Sequence, residues 1–170
     1  MKSKFSLDNY FKDFQSTITD FLKVNENKNG LESALNLINS SRNKNKIFII
    51  GNGGSASIAE HIAIDFTKNA GLNAVSFSSA STVTTFANDY GYENLFKKGL
   101  EHYANKGDIL IAISGTGTSK NILKACNYAK ENGIKIITLS GFNFENPLFN
   151  LGDINLWVNS KAFGYLEIIH

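Results

Sequence analysis

The sequence predicts an α/β fold, a three-layer sandwich built on a five-stranded parallel sheet, and three observations support this. Short continuous apolar runs alternate with helix-like stretches from residue 46 onward, and such runs are typical of strands that are buried on both faces of a parallel sheet. Glycine- and hydroxyl-rich segments follow two of the runs, as in loops that leave the carboxyl edge of a sheet. No linker or low-complexity segment divides the 170 residues, a length that suits one domain.

The apolar runs place the strands, and the spacing between them places the helices. Strands are predicted at residues 47–50, 74–77, 109–113, 134–139 and 154–158. Helices are predicted at residues 57–68, 82–88, 94–104 and 120–132. Gly133 stands directly before the fourth strand, a position that suits the end of a helix.

The segment before the first strand is predicted to be a helical arm. Its apolar residues recur at three- and four-residue spacing and are Phe5, Tyr10, Phe11, Phe14, Ile18, Phe21 and Leu22. Residues 25–30 interrupt this pattern, and a second helix is predicted from Leu31 onward. An amphipathic pair of this kind covers a core or pairs with another copy of the chain, and the pattern leaves both open. We therefore divide the chain into an arm, residues 1–45, and a main domain, residues 46–170.

Composition and charge exclude several classes of partner. The formal net charge is only +2, and the lysines are scattered among polar residues, so we expect no nucleic-acid partner. The amino-terminal segment has no apolar core of signal-peptide length, and no apolar run is long enough to span a membrane. Cys126 is the one cysteine, which suits a reducing compartment. We expect a cytoplasmic protein without a membrane partner.

Two loops carry the strongest functional signal. Residues 51–55 read Gly-Asn-Gly-Gly-Ser and residues 114–119 read Ser-Gly-Thr-Gly-Thr-Ser. Glycines let the backbone approach a ligand, and hydroxyls and free N–H groups at a helix start bind anions. One such loop alone is more often a capped surface turn, but two of them at strand ends favour a phosphate site. The first loop matches neither the dinucleotide fingerprint nor the P-loop, so a small phosphorylated metabolite fits better than a nucleotide.

Three longer segments connect these loops to a known family. GNGGSASIAEH, NDYGYENLF and ISGTGTSKNILKA, in this order and spacing, resemble the sugar isomerase (SIS) domain and, within it, the phosphoheptose isomerases. The resemblance covers about residues 47–170. It implies a ketose–aldose isomerase that converts sedoheptulose 7-phosphate to D-glycero-D-manno-heptose 7-phosphate for lipopolysaccharide or capsule biosynthesis. It also implies a homotetramer with active sites between subunits.

The resemblance also implies roles for individual residues. The substrate-binding residues that it implies are Asn52, Gly53, Ser55, Asp89, Ser114, Thr116, Ser119 and Glu167. Of these, Ser114, Thr116 and Ser119 would bind the phosphate. Asn52, Gly53 and Ser55 would line the sugar pocket.

His61 and Asp65 are the predicted catalytic pair. They are four residues apart and so share a helix face, although a weak surface ion pair is the simpler interpretation of that spacing alone. The resemblance implies Asp65 as the base and a possible zinc ion held by His61, Asp65 and Glu167. Asp65 stands where the family typically has Glu, and Glu167 stands where it usually has Gln.

The carboxyl-terminal segment, GYLEIIH, resembles the start of the family's last helix. In the family this helix continues to a further functional His, so we expect a last helix cut short at His170, weak zinc binding and slow isomerisation. A non-catalytic SIS-domain protein, either a sugar-phosphate-binding regulator or an adaptor, is therefore the alternative function.

Overall fold

The protein folds as three layers, with a parallel sheet between two layers of helices. The structure is a computed structural model that describes residues 6–170 and their side chains except that of Asn25. Its helices are α1 Leu7–Lys23, α2 Asn25–Ser40, α3 Gly54–Lys68, α4 Ala80–Tyr90, α5 Leu95–Tyr103, α6 Lys120–Glu131 and α7 Phe163–Ile169, with a 3₁₀ turn at Tyr92–Asn94. Its strands are β1 Lys46–Ile50, β2 Asn73–Ser76, β3 Ile109–Ser114, β4 Lys135–Ser140 and β5 Ile154–Trp157. The predicted fold class is confirmed.

The predicted strands agree with the observed ones to within one residue at each end. The largest difference among the helices is at α2, which begins at Asn25, so the predicted interruption at residues 25–30 is wrong. Helix α3 also begins earlier than predicted, at Gly54 rather than at residue 57. Gly53 makes this early start possible, because it precedes the helix with φ of 56° and ψ of −124°. An L side chain rarely adopts that conformation, whereas glycine does so readily. The glycine loop is therefore partly the first turn of α3.

The strand order creates a crevice at one edge of the sheet. The order is β2-β1-β3-β4-β5, with every neighbouring pair parallel. The chain leaves β1 towards β2 and returns to β3 on the other side of β1, so α3 and α6 cover opposite faces of the sheet. In this strand order the loops after β1 and β3 diverge, and ligands of such sheets bind between them.

The sheet separates two apolar cores. Alternate residues of β1 supply both of them, since Phe48 packs with α5 and α6 while Ile49 packs with α2 and α3. This alternation follows from the two-residue period of a strand. Cys126 is fully buried in the first core, and burial raises the pKa of its thiol to about 12. Such a thiol is an inert core group.

The helical arm divides into a packed part and an exposed part. Helix α2 lies against β5, where Asn27 accepts a hydrogen bond from Trp157 N (3.1 Å) and donates one to Trp157 O (2.9 Å). Helix α1 has no buried residue between Leu7 and Lys23, and Phe11 is 59% exposed. Phe5 of the predicted pattern lies outside the described residues. The predicted boundary at residue 45 thus falls in the turn between α2, which covers the sheet, and β1.

Between residues 6 and 170, no helix combines the length and the apolar character that a membrane span requires.

Candidate active site

A cavity of about 320 Å³ lies beyond the carboxyl ends of β1 and β3. It is lined by Asn52, Gly53, Gly54, Ser55, Ile113, Ser114, Gly115, Thr116, Ser119, Phe163 and Glu167. The structure therefore brings together seven of the eight predicted substrate-binding residues. Its place matches the crevice that the strand order creates.

The hydroxyl loop, residues 114–119, forms one wall of the cavity. Ser114 is 5% exposed and donates a hydrogen bond to the hydroxyl of Ser119 (3.2 Å). Thr116 and Thr118 share a hydrogen bond of 2.9 Å between their hydroxyls. Gly117 turns the loop with φ of 67°, and a Cβ there would collide with Asn146. Three hydroxyls of this loop, those of Ser114, Thr116 and Ser119, reach the cavity.

Ser119 occupies the N-cap of α6 in an unusual way. A serine at this position normally accepts a hydrogen bond from the backbone of the first helical turn. Among the described residues the side chain of Ser119 makes no such bond. The N–H of Ile122 donates to Asn121 Oδ1, so the hydroxyl of Ser119 and the first two N–H groups of α6, those of Lys120 and Asn121, are the groups available to an anion, which the N-terminus of a helix attracts.

The glycine loop, residues 51–55, forms the opposite wall. A Cβ at Gly51 would lie 2.5 Å from the carbonyl oxygen of Ser55, so only glycine fits beneath the start of α3. A Cβ at Gly54 would instead collide with the carboxyl group of Glu167. Ser55, in the first turn of α3, adds a hydroxyl to this wall. Both walls thus combine a close backbone with hydroxyl groups.

Asn52 uses its side chain for a purpose that the sequence did not show. Its Oδ1 accepts hydrogen bonds from Asn121 Nδ2 and from the hydroxyl of Tyr92, both 2.9 Å long. Its Nδ2 donates to Asn121 Oδ1, also over 2.9 Å. The carboxamide of Asn52 is thus engaged by contacts within the protein, and the residue lines the cavity. Sequence reasoning missed both Asn121 and Tyr92, each of which stands inside a quoted motif.

Helix α7 closes the end of the cavity with two side chains. Glu167 places its carboxyl group at the N-terminus of α3, beside Gly54, where the helix dipole favours a negative charge. Phe163 is 54% exposed, lines the cavity and packs on Phe142 with ring centroids 5.1 Å apart. No polar pattern marked Phe163 in the sequence, and its position past the last strand was the one available signal.

His61 and Asp65 lie outside the cavity, on the exposed side of α3. His61 Nε2 and Asp65 Oδ2 are 3.4 Å apart, and the two side chains are 77% and 48% exposed. Asp65 Oδ1 also accepts a hydrogen bond from Asn69 Nδ2 (3.0 Å). The predicted pair therefore forms, but separately from the residues that line the cavity.

The predicted zinc ligands are not assembled within one chain. Glu167 lies beside Gly54 rather than beside the His61–Asp65 pair. No group of three His, Cys, Asp or Glu side chains that could hold a metal ion occurs within residues 6–170. The residues of a single chain therefore supply two ligands from α3, which do not amount to a zinc site, and the zinc ion remains a prediction.

Two further features lie apart from the cavity. Asp89 is exposed near the end of α4, where it accepts a hydrogen bond from Asn88 Nδ2 (2.9 Å), and it does not line the cavity. A larger cavity of about 610 Å³ lies between α3 and the edge strand β2, lined partly by Ile64 and Val75. That second cavity has neither a hydroxyl loop nor a helix N-terminus, so the smaller cavity is the better candidate for an anionic ligand.

The open parallel sheet, with a hydroxyl-lined cavity between the loops after β1 and β3, defines an α/β protein of the class that binds small anionic metabolites at a sheet edge. The family model described as the SIS domain matches residues 9–141. The phosphoheptose isomerase of Helicobacter pylori (strain P12) is 48% identical over 140 residues, which cover 79% of this chain and 72% of that protein. The phosphoheptose isomerase of Cytophaga hutchinsonii is 34% identical over 160 residues, which cover 91% of this chain and 82% of that one.

Solved structures of phosphoheptose isomerases are also similar to this chain. Phosphoheptose isomerase GmhA from Neisseria gonorrhoeae superposes with a TM-score of 0.85 at 27% identity, covering 95% of this chain and 89% of that chain. A phosphoheptose isomerase from Francisella tularensis gives a TM-score of 0.81 at 28% identity, covering 97% and 92%. The chain belongs to the SIS domain family and, within it, to the phosphoheptose isomerases, which are phosphosugar isomerases.

Proposed function

We propose that the protein is the isomerase that converts sedoheptulose 7-phosphate to D-glycero-D-manno-heptose 7-phosphate. The observation that carries this proposal is the 320 Å³ cavity, in which seven of the eight predicted substrate-binding residues meet. The hydroxyl loop supplies three hydroxyl groups to the cavity and the glycine loop supplies one, whereas a sugar phosphate has a charged end and a sugar end. Family membership supports the same activity.

The hydroxyl loop suits the phosphate end of such a substrate. Ser114, Thr116 and Ser119 bring hydroxyl groups to the N-terminus of α6. A phosphate bound there receives hydrogen bonds from hydroxyls and backbone N–H groups, and the helix dipole favours its charge. The sugar then extends towards the glycine loop and α3.

The face of α3 that begins at the cavity leads to the predicted catalytic pair. His61 lies seven residues and Asp65 eleven residues beyond Gly54, so both project within about 20° of Gly54 around the helix. Seven residues correspond to about 10 Å and eleven to about 16 Å along the helix axis. An extended seven-carbon sugar phosphate can span the shorter distance, and the carboxylate of Asp65 lies 3.4 Å from the His61 ring. His61 and Asp65 therefore lie on the helix face along which the carbonyl end of a bound substrate would extend.

The reaction itself requires a base and an acid. A proton leaves C1 of the ketose and a proton is returned to C2, while the two oxygens exchange carbonyl and hydroxyl character. We assign proton removal to the carboxylate of Asp65. His61, 3.4 Å from it, orients that carboxylate and can donate a proton to the substrate oxygen.

Assembly, metal binding and cellular role are further parts of the proposal. Exposed apolar side chains on three helices, Phe11 (59%), Leu35 (60%) and Ile64 (60%), favour association of copies, and we propose a homotetramer. Any zinc ion held by His61 and Asp65 would need at least one more ligand than the described residues of one chain supply. We place the enzyme in the cytoplasm and in heptose synthesis for lipopolysaccharide or capsule.

Turnover of sedoheptulose 7-phosphate by matched variants tests the assignment of the base. Asp65→Asn keeps the size of the side chain and removes its basicity, so we expect turnover to fall by at least about 100-fold. Glu60→Gln is the matched control, because Glu60 is exposed on the same helix and points about 100° away from His61. Equal turnover by wild type and Asp65→Asn would show that another group, such as Glu167, removes the proton.

A further inference from the structure

A pair of asparagine side chains joins the two walls of the cavity. Asn52 and Asn121 exchange two hydrogen bonds of 2.9 Å, each donating its Nδ2 to the Oδ1 of the other. Asn52 belongs to the glycine loop, and Asn121 lies in the first turn of α6, directly after the hydroxyl loop. The pair therefore crosses the crevice between the loops that follow β1 and β3.

Burial and further hydrogen bonds hold this pair in one arrangement. Asn121 is 3% exposed, and its Oδ1 also accepts a hydrogen bond from Ile122 N (3.0 Å). Asn52 Oδ1 also accepts the hydroxyl of Tyr92 (2.9 Å), which ties in the 3₁₀ turn between α4 and α5. A satisfied polar network around a buried side chain such as Asn121 is rigid, because breaking one bond leaves its buried partner unpaired.

The rigidity matters because the next residue after Asn52 carries the loop into α3. Gly53 has φ of 56°, and a Cβ added there would meet nothing within 4 Å. No other group therefore packs where a side chain of Gly53 would lie, and the asparagine pair ties the residue before it to α6. The same contact joins the N-terminus of α6 to the loop that leads into α3.

We propose that Asn121 is a positioning residue of this enzyme. Its carboxamide, paired with that of Asn52, holds the glycine loop opposite the hydroxyl loop, so that a sugar phosphate anchored by its phosphate presents its sugar to α3. This inference rests on the proposed function, since it concerns the alignment of the same substrate.

Two variants break the network in different ways. Asn121→Leu keeps a side chain of similar size but removes both hydrogen bonds to Asn52. Tyr92→Phe removes a single hydrogen bond from an exposed side chain and carries little risk to folding. Thr138→Val is the matched control, because Thr138 is fully buried on β4 and its hydroxyl donates to Asn155 Oδ1 (2.6 Å) outside the cavity.

Calorimetry, kinetics and thermal unfolding of each variant separate positioning from stability. For Asn121→Leu we expect the Kd for inorganic phosphate to stay within about 3-fold, because the hydroxyl loop is intact. We expect kcat for sedoheptulose 7-phosphate to fall about 10- to 100-fold, the effect of a misplaced substrate. Tyr92→Phe should lower kcat in the same direction by about 2- to 10-fold. Thr138→Val should lower the Tm while leaving kcat, the Kd for inorganic phosphate and the Kd for sedoheptulose 7-phosphate unchanged.

Several results would overturn the proposal. An unchanged kcat in both network variants, with a Tm loss like that of Thr138→Val, would make the pair structural only. A parallel weakening of inorganic phosphate binding would place the role of Asn121 in the hydroxyl loop alone. A wild-type protein that binds sedoheptulose 7-phosphate without turnover would contradict the proposed reaction instead. In that case binding alone tests the role of Asn121. A positioning role requires that Asn121→Leu weakens the binding of sedoheptulose 7-phosphate and leaves the binding of inorganic phosphate unchanged.

Discussion

Replacing Ser119 with alanine separates ligand binding from helix capping at one residue. Ser119 stands at the N-cap of α6, yet its side chain makes no capping bond to the described part of the chain. Its hydroxyl instead lines the cavity and accepts a hydrogen bond from Ser114 (3.2 Å). The substitution should therefore affect the ligand much more than the helix.

The expected magnitudes follow from these contacts. A hydrogen bond to a charged group contributes about 1.5–3 kcal/mol, so Ser119→Ala should raise the Kd for sedoheptulose 7-phosphate about 10- to 150-fold. Loss of an ordinary serine cap costs about 1 kcal/mol of stability. Helix α6 has no such bond to lose, and water in the cavity can replace the acceptor that Ser114 loses. We therefore expect the free energy of unfolding of Ser119→Ala to change by less than about 0.5 kcal/mol.

Ser79→Ala is the matched control, because Ser79 is also an N-cap serine but makes the capping bond that Ser119 lacks. Ser79 is the N-cap of α4, and its hydroxyl accepts a hydrogen bond from Thr82 N (3.3 Å). Its replacement should lower the free energy of unfolding by about 1 kcal/mol and leave the Kd unchanged. Calorimetry and urea unfolding of both variants measure the two quantities. If Ser119→Ala loses stability as Ser79→Ala does and keeps wild-type affinity, the hydroxyl loop is an ordinary helix cap and the reasoning fails.

Four other outcomes are expected. Gly51→Ala should destabilise the fold by about 1–3 kcal/mol, because its Cβ would meet immovable backbone 2.5 Å away. By contrast, Gly54→Ala should displace only the flexible carboxyl group of Glu167 and lower activity with little effect on the Tm. Burial lowers the pKa of His170 from 6.5 to about 4, against a weaker opposing effect of the backbone carbonyl that it contacts. The unfolded chain therefore binds the extra proton first, so stability should be full above about pH 6.5 and fall as the pH drops towards 4, by up to about 3 kcal/mol. Urea titrations of wild type and His170→Gln check this slope, which the variant should lose. Phe11→Ser should shift the species seen by light scattering to smaller assemblies, and a wild-type monomer would contradict the proposed tetramer.

The central strands β1, β3 and β4 were predictable because both of their faces are mostly buried, which requires nearly continuous apolar sequence. Residues 109–113, for example, are entirely apolar and entirely buried, which no surface strand permits. The site loops were predictable for a related reason, since the carboxyl ends of parallel strands meet at one edge of the sheet. Ser55 and Ser119 therefore share a cavity although 64 residues separate them.

The asparagine network and the position of the His61–Asp65 pair were not predicted, because they depend on contacts between residues that are far apart in the sequence. Asn52 and Asn121 are 69 residues apart, and Tyr92 is 40 residues from Asn52. Their pairing depends on how far the loops after β1 and β3 diverge, which follows from packing and not from spacing along the chain. For the same reason helix periodicity placed His61 beside Asp65 without showing that this pair lies outside the cavity.

Conversion of sedoheptulose 7-phosphate in D₂O, followed by NMR with and without added zinc, tests the central claim most directly. The proposed reaction predicts that D-glycero-D-manno-heptose 7-phosphate appears, with deuterium at C2 to the extent that the removed proton exchanges with solvent. The unchanged ketose, in a sample that calorimetry shows to bind it, would contradict the account. The protein would then be a sugar-phosphate-binding regulator or adaptor with the fold of an isomerase.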